Sequence, residues 1–168
     1  EEERILARRI AAHLARMRRV VAADAVDAAN REAAGLAVDG TGNVFVADKG
    51  HHTIRRITPA GLVTTVAGLA RAPGSQDGPP GVARFRSPGG VVVDGTGNLL
   101  VADFGNATIR LVTPAGDVST LAGLALAWGD DDGTGPAARF SEPLAIAMTP
   151  SGDFLVADRI GCTIRRIT

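Results

Sequence analysis

Three aspartates stand 55 residues apart, Asp48, Asp103 and Asp158, and each is followed seven residues later by an arginine: Arg55, Arg110 and Arg165. A carboxylate paired with a guanidinium can bind an anion, position a proton or close a charge-assisted hydrogen bond. Their threefold recurrence decides between these. A pair present in every unit of a repeat serves the unit, tying strand ends within or between units, so these six residues are expected to be structural. Phe85 and Phe140, each closing an Ala-Arg-Phe phrase, recur in the same way and are expected to plug the gap between neighbouring units.

Other chemistry is sparse. His51 and His52 are adjacent, so in extended backbone they point to opposite faces and would not share a metal. Asp130-Asp131-Asp132-Gly133 invites a calcium loop, yet Ser141 rather than Glu falls at the twelfth position and Pro136 interrupts the run. The glycine pairs Gly40/Gly42 and Gly95/Gly97 lie between strands and open no helix, which argues against a phosphate-binding loop. Cys162, the single cysteine, has no activating neighbour in sequence. The sequence therefore points to no catalytic residue, no metal and no cofactor. What is left is the set of positions that differ between copies: Lys49, His51 and His52; Phe104 and Asn106; Arg159 and Cys162; and Arg71 and Trp128 in the longer connections. Loops on a rigid scaffold are where recognition resides, and these residues are the expected binding face.

The elements that must position them can be read from the period. From Gly35 onward, short apolar runs alternate with glycine turns: Leu36 to Val38, Val44 to Asp48, Thr53 to Thr58 and Leu62 to Ala67 form four strands, and the pattern returns from Gly90 to Gly123. A third copy begins near Ala145 and reaches Thr168 after three strands. The second strands, VFVA, LLVA and FLVA, are apolar without alternation, which predicts burial on both faces. Four-stranded sheets stacked face to face around an axis are propeller blades, so the expectation is an all-β partial propeller of about three antiparallel blades, 35–88, 89–143 and an incomplete 144–168. In such a meander the loop joining strands two and three and the connection to the next unit share one end, which gathers the varied residues.

Residues 1–34 differ from the rest. They hold no Gly or Pro, and Leu6, Ile10, Leu14, Met17 and Val21 recur at helical spacing, predicting one amphipathic helix with an arginine-rich polar side. It could pack on the blades, pair with another helix or lie on an anionic membrane. Formal net charge is zero and the repeat body is close to neutral, which argues against a polyanion surface built on bulk charge and leaves a local patch open. No run is long enough for a transmembrane helix, and an unpaired thiol leaves the compartment open with a lean toward the cytoplasm. The start at Glu1 without Met suggests a processed or excised segment.

The phrase from Gly90 through Ile109, with Asn106, then Pro114 and Gly116, then Asp132-Gly133 and Ala138-Arg139-Phe140 with Pro143, resembles the NHL-repeat β-propellers. The resemblance covers residues 35–168. It departs at His51 and Gly161, where the repeat expects Asn, and at Thr149, where it expects Asp. It implies a non-enzymatic binding or scaffold module that recognises a protein or peptide through one propeller face. Two alternatives come with it: single-stranded RNA binding on a basic face, with Phe104 as a stacking platform, and a fragment of a metal-dependent six-bladed hydrolase or lyase. Propellers close with four or more blades. Fewer than three full copies therefore imply either missing blades from a longer chain or closure as a homodimer.

Overall fold

The computed structural model describes residues 33–168. The helix expected over 1–34 lies outside the described residues except for its last two positions. Those are strand: β1 begins at Ala33, and the chain divides into separate units between Arg31 and Glu32.

Three antiparallel sheets follow in chain order. The first holds β1 (Ala33–Val38), β2 (Val44–Asp48), β3 (Thr53–Ile57) and β4 (Val63–Gly68), and the second β5 (Val91–Val93), β6 (Leu99–Asp103), β7 (Thr108–Val112) and β8 (Val118–Ala122). The third has three strands, β9 (Pro143–Met148), β10 (Phe154–Asp158) and β11 (Thr163–Ile167). Every strand pairs with its sequence neighbour, and the first strands β1, β5 and β9 lie side by side.

The hairpin turns are specified by their own polar residues. The Asp39 carboxylate accepts hydrogen bonds from the backbone N–H and hydroxyl of Thr41 and from the backbone N–H and side-chain amide of Asn43. Asp94, Thr96 and Asn98 repeat the arrangement. Slight desolvation pushes both carboxyls up, but the bonds from the Asn and Thr prevail and hold them below the ordinary aspartate value. In the third copy, where Thr149 replaces the aspartate, its hydroxyl accepts from the Asp153 N–H instead.

The core lies between sheets. Phe45, Ala47, Ile54 and Ala67 of the first sheet cluster with Val91, Leu99, Val101, Val112 and Val118 of the second. The other face of the second sheet, with Leu100, Ala102, Ile109 and Ala122, clusters with Ile146 and Val156 of the third. Strand β6 is accordingly buried along its whole length, and Val44 to Ala47 of β2 are buried too. The expectation of burial on both faces fails for β10. Val156 is inaccessible, but Leu155 on the opposite face is 36% exposed and Ile164 beside it 69%. No further sheet covers that face among the described residues, so the reason lies in the stacking and not in the strand.

Adjacent first strands approach backbone to backbone, and glycine allows it. A Cβ on Gly35 would sit 2.6 Å from the Gly89 carbonyl oxygen and 2.8 Å from the Gly90 Cα, and a Cβ on Gly90 would sit 2.7 Å from the Ile146 nitrogen and 2.9 Å from the Ala145 Cα. The position equivalent to these glycines in the third copy is Ala145, whose methyl faces no following sheet among the described residues. Gly90→Ala is expected to force the second and third sheets apart and to destabilise by about 1–3 kcal/mol, the range for overpacking. Urea melts check this, and an unchanged midpoint would show that the strands slide without cost.

Candidate functional site

Loops from all three sheets meet at one end of the stack: the β2–β3, β6–β7 and β10–β11 loops, flanked by the connections 69–90 and 123–142. Beneath them lies a buried polar cluster. Asp103 and Arg110 are both fully buried and paired at 2.9 Å. The Asp103 carboxylate also accepts from the Arg86 backbone N–H at 2.8 Å and the Asn106 amide at 2.7 Å. Arg110 donates further to the carbonyls of Arg84 and Gln76 and to Asp77, and it stacks on Phe85 at 5.3 Å. The backbone register shifts at Ile109/Arg110 where β7 meets β8, a bulge beside this side chain. Burial pushes the Asp103 carboxyl up to about 6 against the pull of Arg110, so it is the carboxylate at neutral pH. The second unit is thereby stitched to the connection 69–90.

The third copy repeats the contacts of the arginine without the direct pair, and the first copy departs further. Asp158 accepts from the backbone N–H groups of Ser141 and Glu142, while Arg165 reaches the Arg139 carbonyl and Asp132 and stacks on Phe140 at 5.2 Å. Asp48 instead holds the His51 ring, with Nδ1 at 3.0 Å. The Nε atoms of Arg55 and Arg110 are both buried without a hydrogen-bond partner. Phe85 and Phe140 are both buried between sheets. Among the described residues the direct Asp–Arg ion pair at these positions occurs in the second copy alone.

Of the residues expected on the binding face, three converge. Phe104, half-buried at the head of a single 3₁₀ turn (Phe104–Asn106), has the Lys49 ammonium 5.1 Å and the Arg159 guanidinium 5.8 Å from its ring centroid. The two cations come from the sheets on either side, so three units build one cluster. Such cation–π contacts hold long side chains in place. Arg159 is also paired with Glu142. The stem of Arg86 passes under Gly105, where a Cβ would meet its Cγ at 2.5 Å, and its head is exposed.

His52 sits beside them, its Nδ1 accepting the Ser87 backbone N–H at 3.0 Å. The bond requires a neutral ring with the proton on Nε2. Partial burial, then the charges of Arg86 and His51, lower its pKa below 6.5. As pH falls from about 7 toward about 5 the unfolded chain takes up a proton that the folded chain resists, so this group's stabilisation is present above its unfolded pKa and lost below it. His52→Asn keeps a residue that tolerates the positive φ of this position and removes the titration. The variant should lose less melting temperature than the parent over that interval, and parallel profiles would remove His52 from the account.

The remaining expected face residues lie elsewhere. Asn106 is a correction: it is buried, donating to Asp103 and to the Gly74 carbonyl at 2.6 Å, and presents nothing to a ligand. Cys162 is exposed, its Sγ near the Arg159 carbonyl. Arg71 is exposed and fixes its loop by donating its N–H to the His51 carbonyl. Trp128 is 59% exposed in the connection bridged to Phe140, outside the Phe104 cluster. His52, Ala107 and Cys162 share a left-handed backbone, as do Arg71 and Leu126, so varied side chains ride on a repeated main chain. Sequence reasoning missed Glu142, whose counterpart in the preceding unit is Ser87, and the contact between Ser87 and His52. Among the described residues no three His, Cys, Asp or Glu side chains group as a metal site, and no helix is long and apolar enough to cross a membrane.

Two four-stranded sheets and a three-stranded one, stacked on their broad faces with first strands adjacent, define a part of a β-propeller. Residues 30–57 and 85–110 match the sequence model of the NHL repeat, so the chain carries NHL repeats. The solved structures similar to it include an auxiliary nutrient binding protein from Bacteroides ovatus, at 26% identity and TM-score 0.69, covering 79% of this chain and 36% of that one. A protein of unknown function from Bacteroides thetaiotaomicron shares 31% identity at TM-score 0.69, over 74% of this chain and 32% of its own. Virginiamycin B lyase from Staphylococcus aureus, at 19% identity and TM-score 0.56 over 80% and 37%, shares the fold. The chain thus spans about a third of the length of these structures. No curated protein matches it.

Proposed function

We propose that the chain is part of a non-enzymatic recognition module that binds a protein or peptide on the loop face centred on Phe104. The observation that carries this reading is the convergence of Lys49, Phe104 and Arg159, one from each unit, at positions the repeat leaves variable. Residues that serve only the repeat have no reason to differ between copies and still meet. Aromatic and arginine side chains are the groups that dominate protein interfaces. The similarity to a nutrient binding protein is compatible with a binding role for the scaffold, though fold alone does not assign one. Single-stranded RNA is favoured less, because both cations already engage the ring and a stacking base would have to displace one.

Selection of a displayed random peptide library on the whole chain tests the proposal. Peptides recovered should bind the Phe104→Ala variant about tenfold more weakly or worse, while its melt stays cooperative. Peptides that bind the variant as well as the parent would place recognition elsewhere.

A further inference from the structure

We propose that Ser87 is an acid-released hinge: the neutral His52 ring holds its backbone left-handed, and protonation of that ring frees the backbone to relax. The hinge does not depend on what the loop face binds. Both long connections end on a comparable phrase, Arg86-Ser87-Pro88 and Ser141-Glu142-Pro143, and each offers two successive backbone N–H groups to the unit that follows. In the third unit one carboxylate takes both: Ser141 donates to Asp158 Oδ2 at 2.8 Å and Glu142 to Oδ1 at 2.6 Å. In the second unit the two are split. Asp103 Oδ1 accepts from Arg86, but Oδ2 is taken by Asn106 and Arg110, and Ser87 donates to Nδ1 of His52 in the first unit. Ala107 stands at the position of His52 one unit on, and its methyl accepts nothing. The backbones divide in the same way, since Ser87 has a φ of 50° while Glu142 is not left-handed. A residue before proline is driven toward extended backbone, and a left-handed residue other than glycine is strained. Ser87 therefore carries a strain that its counterpart lacks, and it is bonded to a group that titrates.

An imidazolium has two N–H donors and no acceptor, so a protonated His52 cannot take the Ser87 N–H. The ring is faced by Arg86 from the connection and by His51 and Asp48 from its own loop, where Lys49 is drawn to the Phe104 ring. Asp103, with Arg110 and Asn106 upon it, holds the adjoining N–H. Asp103 titrates in the same interval, because burial raises its carboxyl to about 6. The folded chain there binds a proton that the unfolded chain does not, so its contribution to stability grows as pH falls while that of His52 is lost. A melt of the parent mixes these opposite signs, and the hinge has to be read locally. Its motion has somewhere to go. The Arg86 carbonyl accepts the Gly105 N–H at 2.8 Å, next to Phe104, and Gly89 donates to the Ala102 carbonyl at 2.8 Å. A turn of the chain between these two ties is passed to the Phe104 loop.

Carbon and nitrogen NMR of the whole labelled chain, from about pH 7.5 to about pH 5, tests the hinge. The Ser87 Cα and Cβ shifts should move from left-handed toward extended values with the midpoint of the His52 ring, while those of Glu142 stay in place. Ser87 shifts that hold while the ring titrates, or a ring still neutral at the acid end, overturn the proposal. In His52→Asn the Ser87 shifts should be constant across the interval; movement that persists there makes Asp103 the trigger and overturns it as well. Ser87→Gly removes the cost of a left-handed backbone, so protonation of His52 no longer relieves strain and its midpoint should fall by about 0.5 pH or more. An unchanged midpoint in that variant would show that no strain is coupled to the bond, which also overturns the hinge.

Discussion

Arg110→Ala is expected to cost about 3–5 kcal/mol of folding stability, the loss seen when one partner of a buried ion pair is removed. The side chain is fully buried, and its removal takes away the cation that holds down the Asp103 pKa, so the carboxyl must either stay charged in a dry site or take up a proton there, with only the Arg86 N–H and the Asn106 amide for company. It also releases the carbonyls of Arg84 and Gln76 and the Asp77 carboxylate, so the connection 69–90 loses its anchor. Arg165→Ala, at the equivalent place one unit on, should cost clearly less, about 1–2 kcal/mol. Its acidic partner Asp132 is 94% exposed and water replaces the lost bond. Denaturant titration of the two variants is the measurement. Equal losses would mean that burial of the pair is not what gives Arg110 its weight.

Phe85→Ala should be comparably severe, about 3–5 kcal/mol, because a fully buried phenyl is deleted from the junction of two sheets. The ring touches the Arg110 guanidinium on one side and comes within 3.1 Å of where a Gly68 side chain would begin, so little around it can collapse into the space. Because Phe85 and Arg110 are in contact, the double variant should be less destabilised than the two single losses added together. The cycle is measured in the same titrations. Strict additivity would show the two residues to be independent supports of the connection.

The repeat made the sheets legible because strand pairing here is local: each strand joins its sequence neighbour, and alternation of turn and apolar run is enough to set it. Phe85 and Phe140 could be placed for the same reason. Lateral relations were harder. Nothing in the spacing of Lys49, Phe104 and Arg159 shows that side chains from three sheets reach one ring, since that depends on the rotation between sheets. Asn106 misled because it sits in a variable loop, yet a short 3₁₀ turn aims its amide inward at Asp103. Arg55, Arg110 and Arg165 share a position in the sequence but not an environment: among the described residues the first meets no aspartate of a preceding connection, the second is sealed between sheets with the buried Asp103, and the third, itself largely buried, has only the exposed Asp132 as its acidic partner. Identity of type is a property of the unit, whereas burial is a property of where the unit stands in the row.

The methyl group of Ala145 gives the row a direction. Gly35 and Gly90 each let the next sheet bring its main chain to within 3 Å of where a Cβ would stand, and a step as close beyond the third unit would put a main chain equally near the Ala145 Cβ, closer than a real Cβ is found. Any sheet laid against the outer face of the third unit must therefore stand off at its inner edge or tilt. The close approach of first strands is thus interrupted at a known atom. A ring built through this chain would be unevenly spaced, its wider step falling between the third unit and its neighbour, and Ala145→Gly would be the substitution that restores an even pitch.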